Sequence, residues 1–269
     1  PVALLTTLPL CSYADYQSEL SLNYQHDSKG GGNSSDEYSG KYSYFYSLVS
    51  TEELPLREAA FLGKASSVSV SYRDAEEESN LTDEIDSDNI QIESQVVLSD
   101  HYIVGLSYAD GEHNNFDTKA YGIEGGVYIN DTTSLTFSIS QIDNDGADDE
   151  LEKYKLNLRS VVETYNGNSV GTSLSAGTSE RETSNTVIEI DGSFDYYFTP
   201  KFSVGGVFAM RNPNGDDSRE NLYGIKSEYF ITENFAIGAD FSVTVFQEKT
   251  SDVDDDNIES FSISLTGRL

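Results

Sequence analysis

Carboxylates are the side chains in this sequence that are most able to act together. The chain has 47 Asp and Glu against 16 Lys and Arg, a formal net charge of -31 at pH 7. Many alternate with apolar residues, so they share one face of an extended segment. Rings of carboxylates around a passage attract cations and repel anions. The charged residues that we predict to line such a passage are Glu19, Lys41, Glu93, Glu124, Lys155, Arg159, Glu189, Asp191, Asp195, Arg211, Lys226, Glu228, Asp240 and Glu259.

Catalysis is a less favoured use of these residues. The three histidines, His26, His101 and His113, fall in different predicted hairpins. No G-x-S-x-G motif singles out a serine nucleophile. A catalytic site needs a nucleophile, a base and an oxyanion site that converge, so we predict no catalytic residue, no cofactor and no enzyme.

Metal and nucleic-acid chemistry are also disfavoured. Asp143-Asn-Asp145-Gly146 begins like an EF-hand loop but lacks the remaining spacing and the final Glu. We predict no specific metal site, while loose association of divalent cations with acidic loops stays open. The sequence pI of about 4.1 argues against a nucleic-acid partner, because affinity comes mainly from Lys and Arg on phosphates.

Fourteen short segments of alternating apolar and polar residues would hold the charges in place. Such alternation is typical of β-strands. We predict an all-β fold, a transmembrane antiparallel up-and-down β-barrel of about 14 strands, with 12 or 16 as alternatives. The predicted strands are residues 15–27, 38–50, 66–76, 88–99, 102–112, 118–130, 134–143, 151–164, 169–180, 186–198, 202–211, 220–232, 235–248 and 257–269.

One face of these segments is apolar enough to meet lipid, as Ile90, Ile92, Val96 and Leu98 illustrate. The mean hydropathy of -0.45 fits a barrel, because only every second strand residue contacts lipid. Backbone polar groups in lipid must be paired internally, which requires a closed sheet where no spanning helix exists. The chain has 18 Tyr and no Trp, and tyrosine suits the water–lipid boundary. A soluble β-sheet with exposed tyrosines is the alternative.

The links between strands form two alternating classes. Short links rich in Asn, Asp, Gly and Pro, at 99–101, 130–133, 165–168, 199–201 and 232–234, predict tight turns. Longer acidic links lie at 29–37, 75–87, 144–150, 212–219 and 249–256. We predict that the turns and both termini are periplasmic and that the acidic links are extracellular loops. Their charges equally suit a solvated surface with no further role.

The chain divides into residues 1–14, a predicted residual signal peptide, and residues 15–269, a single outer-membrane β-barrel domain. The first segment is apolar and ends in Ser12-Tyr-Ala14, a plausible cleavage site; a lipidated Cys11 is the alternative. Without Cys11, no cysteine remains for a disulfide. No outer link has the length of a large plug, so we expect an open lumen.

One predicted periplasmic link, residues 51–65, is longer than the rest. Its Glu58-Ala-Ala-Phe-Leu62 core favours a short helix with Pro55 at or before its start. This segment, the aromatic strand before it and the alternating Ser66–Tyr72 strand after it resemble the outer-membrane β-barrels of the Gram-negative putative porin family. The resemblance implies a barrel in the outer membrane and carries over no catalytic residue. Leu269 departs from the terminal aromatic residue typical of such barrels.

The function that we expect is a porin-like channel for passive diffusion of small hydrophilic solutes, weakly selective for cations. The alternative is a non-conducting structural or interaction barrel that presents acidic loops or sheathes a partner protein. The expected partners are outer-membrane lipid and small hydrophilic solutes or cations, and we expect a monomer. The expected location is the cell outer membrane of a Gram-negative bacterium.

Overall fold

A computed structural model describes residues 15–29, 33–52, 55–78, 85–113, 116–144, 150–181, 186–213, 219–247 and 257–269. These residues form fourteen β-strands, as predicted, and residues 1–14 lie outside them. The strands are β1 (Tyr16–Lys29), β2 (Asn33–Val49), β3 (Ser67–Glu78), β4 (Ile85–Leu98), β5 (Tyr102–His113), β6 (Phe116–Asn130), β7 (Thr133–Asn144), β8 (Leu151–Glu163), β9 (Ser169–Arg181), β10 (Val187–Thr199), β11 (Phe202–Pro213), β12 (Arg219–Thr232), β13 (Phe235–Gln247) and β14 (Ile258–Arg268).

The strands form one closed antiparallel barrel, in which each strand pairs with its neighbours in sequence and β1 pairs with β14. The closing register aligns Glu19 with Arg268 and Lys29 with Ile258. Closure pairs the backbone groups of every strand, so no sheet edge is left open. The predicted all-β barrel of fourteen strands is confirmed.

The two ends of the barrel differ in their connections. We call the end with short links the turn end, and the opposite end the loop end. At the turn end, Ser99 and Asp100 adopt positive φ angles of 50° and 53°, and Gly167 has a φ of 78°. Such angles suit tight turns, and glycine reaches them without strain. Of the longer acidic links predicted at the loop end, 249–256 and most of 144–150 and 212–219 lie outside the described residues. The predicted loops 29–37 and 75–87 are shorter than expected, because residues 33–37, 75–78 and 85–87 continue the strands β2, β3 and β4.

Strand alternation divides the side chains between two faces. Large apolar residues on the outward face are exposed, among them Leu106, Ile123 and Ile225. Tyr196, Phe198, Phe202 and Tyr229 form an outward row of ring contacts near the turn end, with neighbouring centroids 4.7–6.3 Å apart. Such a row suits the membrane–water boundary.

The connection between β2 and β3 contains a short 3₁₀ turn, Leu56–Glu58, followed by α1 (Ala59–Leu62). Pro55 directly precedes the turn, so the predicted short helix is confirmed. Among the residues that the structure describes, no helix combines the length and the apolar character needed to span a membrane.

Candidate functional site

Charged side chains that meet across an intervening strand share one face of the barrel, and the exposed apolar residues on the opposite face identify the charged face as the inward one. Nζ of Lys155 on β8 lies 3.0 Å from Asp191 on β10, with β9 between them. Nζ of Lys41 on β2 lies 2.7 Å from Glu93 on β4, across β3. The strand register then assigns the face of the remaining residues, because faces alternate along each strand and are shared by paired residues.

Thirteen of the fourteen predicted lining residues lie on this inward face. They are Glu19, Lys41, Glu93, Glu124, Lys155, Arg159, Glu189, Asp191, Asp195, Arg211, Lys226, Glu228 and Asp240.

Glu259 is the exception, because it lies on the outward face. It pairs with Val243, and it alternates in phase with the exposed Phe261 and Ile263 of the same strand. Residues two apart share a face, so the apolar pattern of β14 places Glu259 outward. The prediction that Glu259 lines the lumen was therefore wrong, because the alternation in β14 had been assigned one residue out of step.

Ion pairs run along the inward wall and leave few of its charges isolated. The Arg211 guanidinium lies 3.1 Å from Glu189 and 3.4 Å from Glu220 on the two flanking strands. Nζ of Lys226 lies 2.8 Å from Asp195, and Gly205 occupies the register position between them. A glycine there leaves room for the two side chains to meet across β11.

The β1–β7 side of the lumen bounds two cavities whose lining residues are mostly polar. One cavity of about 760 Å³ is lined by Ser21, Asn23, Lys41, Arg73 and other residues of β1–β6 and β14. A second, of about 400 Å³, is lined by Glu93, Glu124 and several serines. Lys41 lines both cavities. Hydroxyl, amide and charged groups make this wall suited to water and small hydrophilic solutes.

Residues 55–65, which we call the crossing segment, cross the inside of the barrel at the turn end. The segment leaves β2 and returns to β3, yet Leu56 donates its backbone N–H to the Pro200 carbonyl, 2.9 Å away, in the turn after β10. β10 lies on the opposite side of the fourteen-strand ring from β2 and β3. The segment therefore reaches across the lumen, a placement that the sequence pattern did not predict.

Glu58 anchors the crossing segment to the far wall. Its carboxylate accepts a 2.7 Å hydrogen bond from Nη2 of Arg159 on β8 and another of 2.7 Å from the Tyr197 hydroxyl on β10. Burial opposes ionisation of Glu58, but Arg159, the Tyr197 hydrogen bond and Arg57 outweigh it, so the pKa of Glu58 is lowered. A buried carboxylate held this way stabilises the seated position of the segment.

Arg57 supplies a second charged contact on the same far wall. Its Nη1 lies 3.7 Å from Glu228 and 3.9 Å from Asp195. Burial works to lower the pKa of Arg57, but the two carboxylates outweigh it and raise the pKa. These distances are too long for direct hydrogen bonds, so Arg57 contributes charge neutralisation at this wall.

Apolar contacts complete the seat of the crossing segment. Leu56 packs in a buried cluster with Phe230 and Ala236, on β12 and β13. Phe61 stacks near Tyr128 on β6 with ring centroids 5.5 Å apart, and the Tyr128 hydroxyl donates a 3.0 Å hydrogen bond to the Phe61 carbonyl. These contacts lie on several walls, so the segment is held on more than one side.

Arg268 joins this charged layer beside the crossing segment. Its guanidinium lies 4.4 Å from the Tyr16 ring centroid and 4.6 Å from that of Phe230, and its Nε lies 2.7 Å from Glu19. Arg57, Glu58, Tyr197 and Arg268 were not among the predicted site residues. The sequence did contain one usable signal, the run Leu56-Arg57-Glu58. A link that places charged residues beside an apolar one needs contacts for both kinds of side chain.

Comparisons with known proteins agree with this architecture. The family model described as "Putative general bacterial porin" matches residues 2–175. No curated protein matches the sequence.

The outer membrane protein Omp33 of Acinetobacter baumannii shares 20% identity with a TM-score of 0.64, over 94% of this chain and 98% of that one. A Pseudomonas aeruginosa FadL homologue shares 10% identity with a TM-score of 0.57, over 94% and 90% of the two chains. A bacterial polysaccharide outer membrane secretin shares 9% identity with a TM-score of 0.56, over 95% and 99%. At these identities the likeness shows the fold.

Proposed function

Because this chain belongs to the family of putative general bacterial porins, we propose that its porin-like barrel passes small hydrophilic solutes by passive diffusion, with a weak preference for cations. The observation that carries the proposal is the polar inward wall, which bounds cavities of about 760 and 400 Å³. Solutes that match such a wall exchange hydration water for hydroxyl, amide and charged groups. The location is the bacterial outer membrane, and we propose that the turn end faces the periplasm.

The crossing segment determines how this channel conducts. It lies across the turn end and is held by Glu58, Arg57 and apolar contacts on the far wall. A solute that enters from the loop end meets the segment before it can leave. We therefore propose two states of the channel, a closed state with the segment seated and an open state with the segment displaced.

A non-conducting structural barrel is the second candidate function. The observation that favours it is the same segment, because charged and apolar contacts on several walls could hold the turn end closed permanently. In that case the acidic sequence of the loop-end links would serve to bind a partner protein. The two candidates differ in a measurable property, the passage of ions.

Planar-bilayer recording of the refolded chain tests the proposal. We would compare the wild-type chain with a double variant, Arg57→Ser with Glu58→Ser, which removes both charged contacts of the segment. A heat-shifted band on a gel would establish that both barrels are folded. A potassium chloride gradient across the bilayer would report the sign of ion selectivity.

If wild-type barrels conduct, the result supports a channel whose crossing segment leaves its seated position readily. A silent wild type with a conducting double variant supports a channel closed by the seated segment. Two folded but silent barrels overturn the channel proposal and favour the structural barrel. Zero-current potentials of the anion-selective sign overturn the cation preference.

A further inference from the structure

Most basic side chains on the inward wall already have a carboxylate partner. Arg73 lies 2.6 Å from Glu37, and Lys29 pairs with Glu77. The pairs of Lys41, Lys155, Arg211, Lys226 and Arg268 follow the same pattern. Close pairs of opposite charge act as dipoles, so their field in the lumen decays faster than that of a single charge. The acidic composition of the chain therefore overstates the charge that a passing ion meets.

Two carboxylates at middle depth differ from this pattern among the residues that the structure describes. Glu124 on β6 accepts a 3.0 Å hydrogen bond from the Thr136 hydroxyl, and Asp240 on β13 accepts one of 3.0 Å from the Ser262 hydroxyl. Neither carboxylate has an ion-pair partner in the described chain.

The neighbouring strands explain why these two charges stay uncompensated. Asp240 lies opposite Lys226 in the β12–β13 register, but Lys226 reaches Asp195 on the other side, across Gly205. Glu124 has Gly105 and Ser138 as its register partners, and neither carries a charge. Asp240 therefore lacks a partner because its neighbouring base binds another carboxylate. Glu124 lacks one because neither of its register neighbours is a base.

Strand order places the two carboxylates on opposite walls. β6 and β13 are seven strands apart in both directions around the fourteen-strand ring. Glu124 lies six residues before the turn-end limit of β6, and Asp240 lies five residues after that of β13. They therefore face the lumen at similar depth, beyond the crossing segment.

We infer that Glu124 and Asp240 are the residues that determine the cation preference of the channel, an inference that rests on the proposed porin function. Two single negative charges on opposite walls raise the local concentration of cations and lower that of anions. The other isolated charges on the described inward wall lie nearer the ends of the barrel, where water and salt screen them more strongly. Asp27 and Lys153 lie toward the loop end with opposite signs, so their effects oppose each other, and Glu163 lies at the turn-end limit of β8.

The test is the zero-current potential of single channels in a potassium chloride gradient. Both carboxylates would be neutralised together, as Glu124→Gln with Asp240→Asn. The matched control is Lys155→Met with Asp191→Asn, which removes two lumen charges of opposite sign that form one ion pair. Glu124→Asp with Asp240→Glu keeps both charges and tests for a merely structural role.

We expect the neutralised variant to lose at least about half of the wild-type potential, while the ion-pair control and the charge-conserving variant keep theirs. A neutralised variant that conducts with unchanged potential overturns this inference and leaves the channel proposal standing. To separate the two failures, every variant is also made in the Arg57→Ser, Glu58→Ser background. A folded barrel silent even there counts against the channel itself, and with it against the inference.

Discussion

The turn end and the middle of the barrel use the same kinds of charged side chain in different ways. At the turn end, Glu58 is buried and bonded to Arg159 and Tyr197 on the far wall. At middle depth, Lys155 and Asp191 form a pair whose side chains stay about half exposed to the lumen, at 49% and 45%. The first set holds a segment in place, whereas the second pair joins β8 to β10 across the inward wall.

The difference shows that burial decides what an ion pair contributes. Breaking a buried pair leaves a desolvated charge without compensation, which is costly, whereas exposed pairs contribute little to stability. The turn-end contacts therefore control the position of the crossing segment. The charges of each mid-barrel pair largely cancel each other's field, so on our inference the unpaired Glu124 and Asp240 control which ions pass.

The largest expected effect comes from Glu58→Gln, which removes the buried charge at the turn end. Lost charge-assisted hydrogen bonds cost the seated state about 2 kcal/mol, which corresponds to roughly a thirtyfold rise in the open fraction. Single-channel open probability in a planar bilayer measures the change. Glu52→Gln is the control, because Glu52 is an exposed carboxylate just before the same segment. Equal open probabilities in the two variants would contradict the role of Glu58.

Acidification should give a smaller and graded version of that effect. The lowered pKa of Glu58 means that its ionised form stabilises the seated segment. This stabilisation is present above the usual glutamate range of about 4.3 and is lost as the pH falls through the lowered pKa. Open probability should therefore rise as the pH falls below about 4. Glu58→Gln should show a weaker rise, and an identical pH profile would show that other groups are responsible.

The smallest expected effect comes from Asp191→Asn, which leaves Lys155 in the middle of the barrel without its partner. A single positive charge about 10 Å from a passing ion in water disfavours a cation by about 0.4 kcal/mol and favours an anion by the same amount, so the cation-to-anion permeability ratio should fall roughly fourfold. Zero-current potentials measure this ratio. Open probability should stay at the wild-type value, because the pair makes no contact with the crossing segment. A change in open probability without a change in selectivity would contradict the division between the two regions.

Much of the fold could be predicted from local patterns. The strand boundaries agree within about three residues except at the start of β2, which begins at Asn33 where residue 38 was predicted. Strand period and turn chemistry are properties of short segments, which is why most boundaries could be predicted. The two-residue period of β-strands also predicted an inward position for residues such as Glu93 and Lys226. It failed at Glu259 because that residue lies near the end of β14, where the phase has to be taken from Phe261 and Ile263.

The sequence by itself determined the alternation and the acidic excess, because each depends on the residues along the chain, and it indicated about 14 strands while 12 and 16 stayed open until barrel closure showed fourteen. The tertiary structure alone decided that Glu58 meets Arg159 and Tyr197, and that Glu124 and Asp240 lie on opposite walls with no basic partner among the residues that the structure describes. These relations depend on barrel closure, which brings together residues that are far apart in sequence. Which base pairs with which carboxylate follows from that geometry, and this information is absent from the composition.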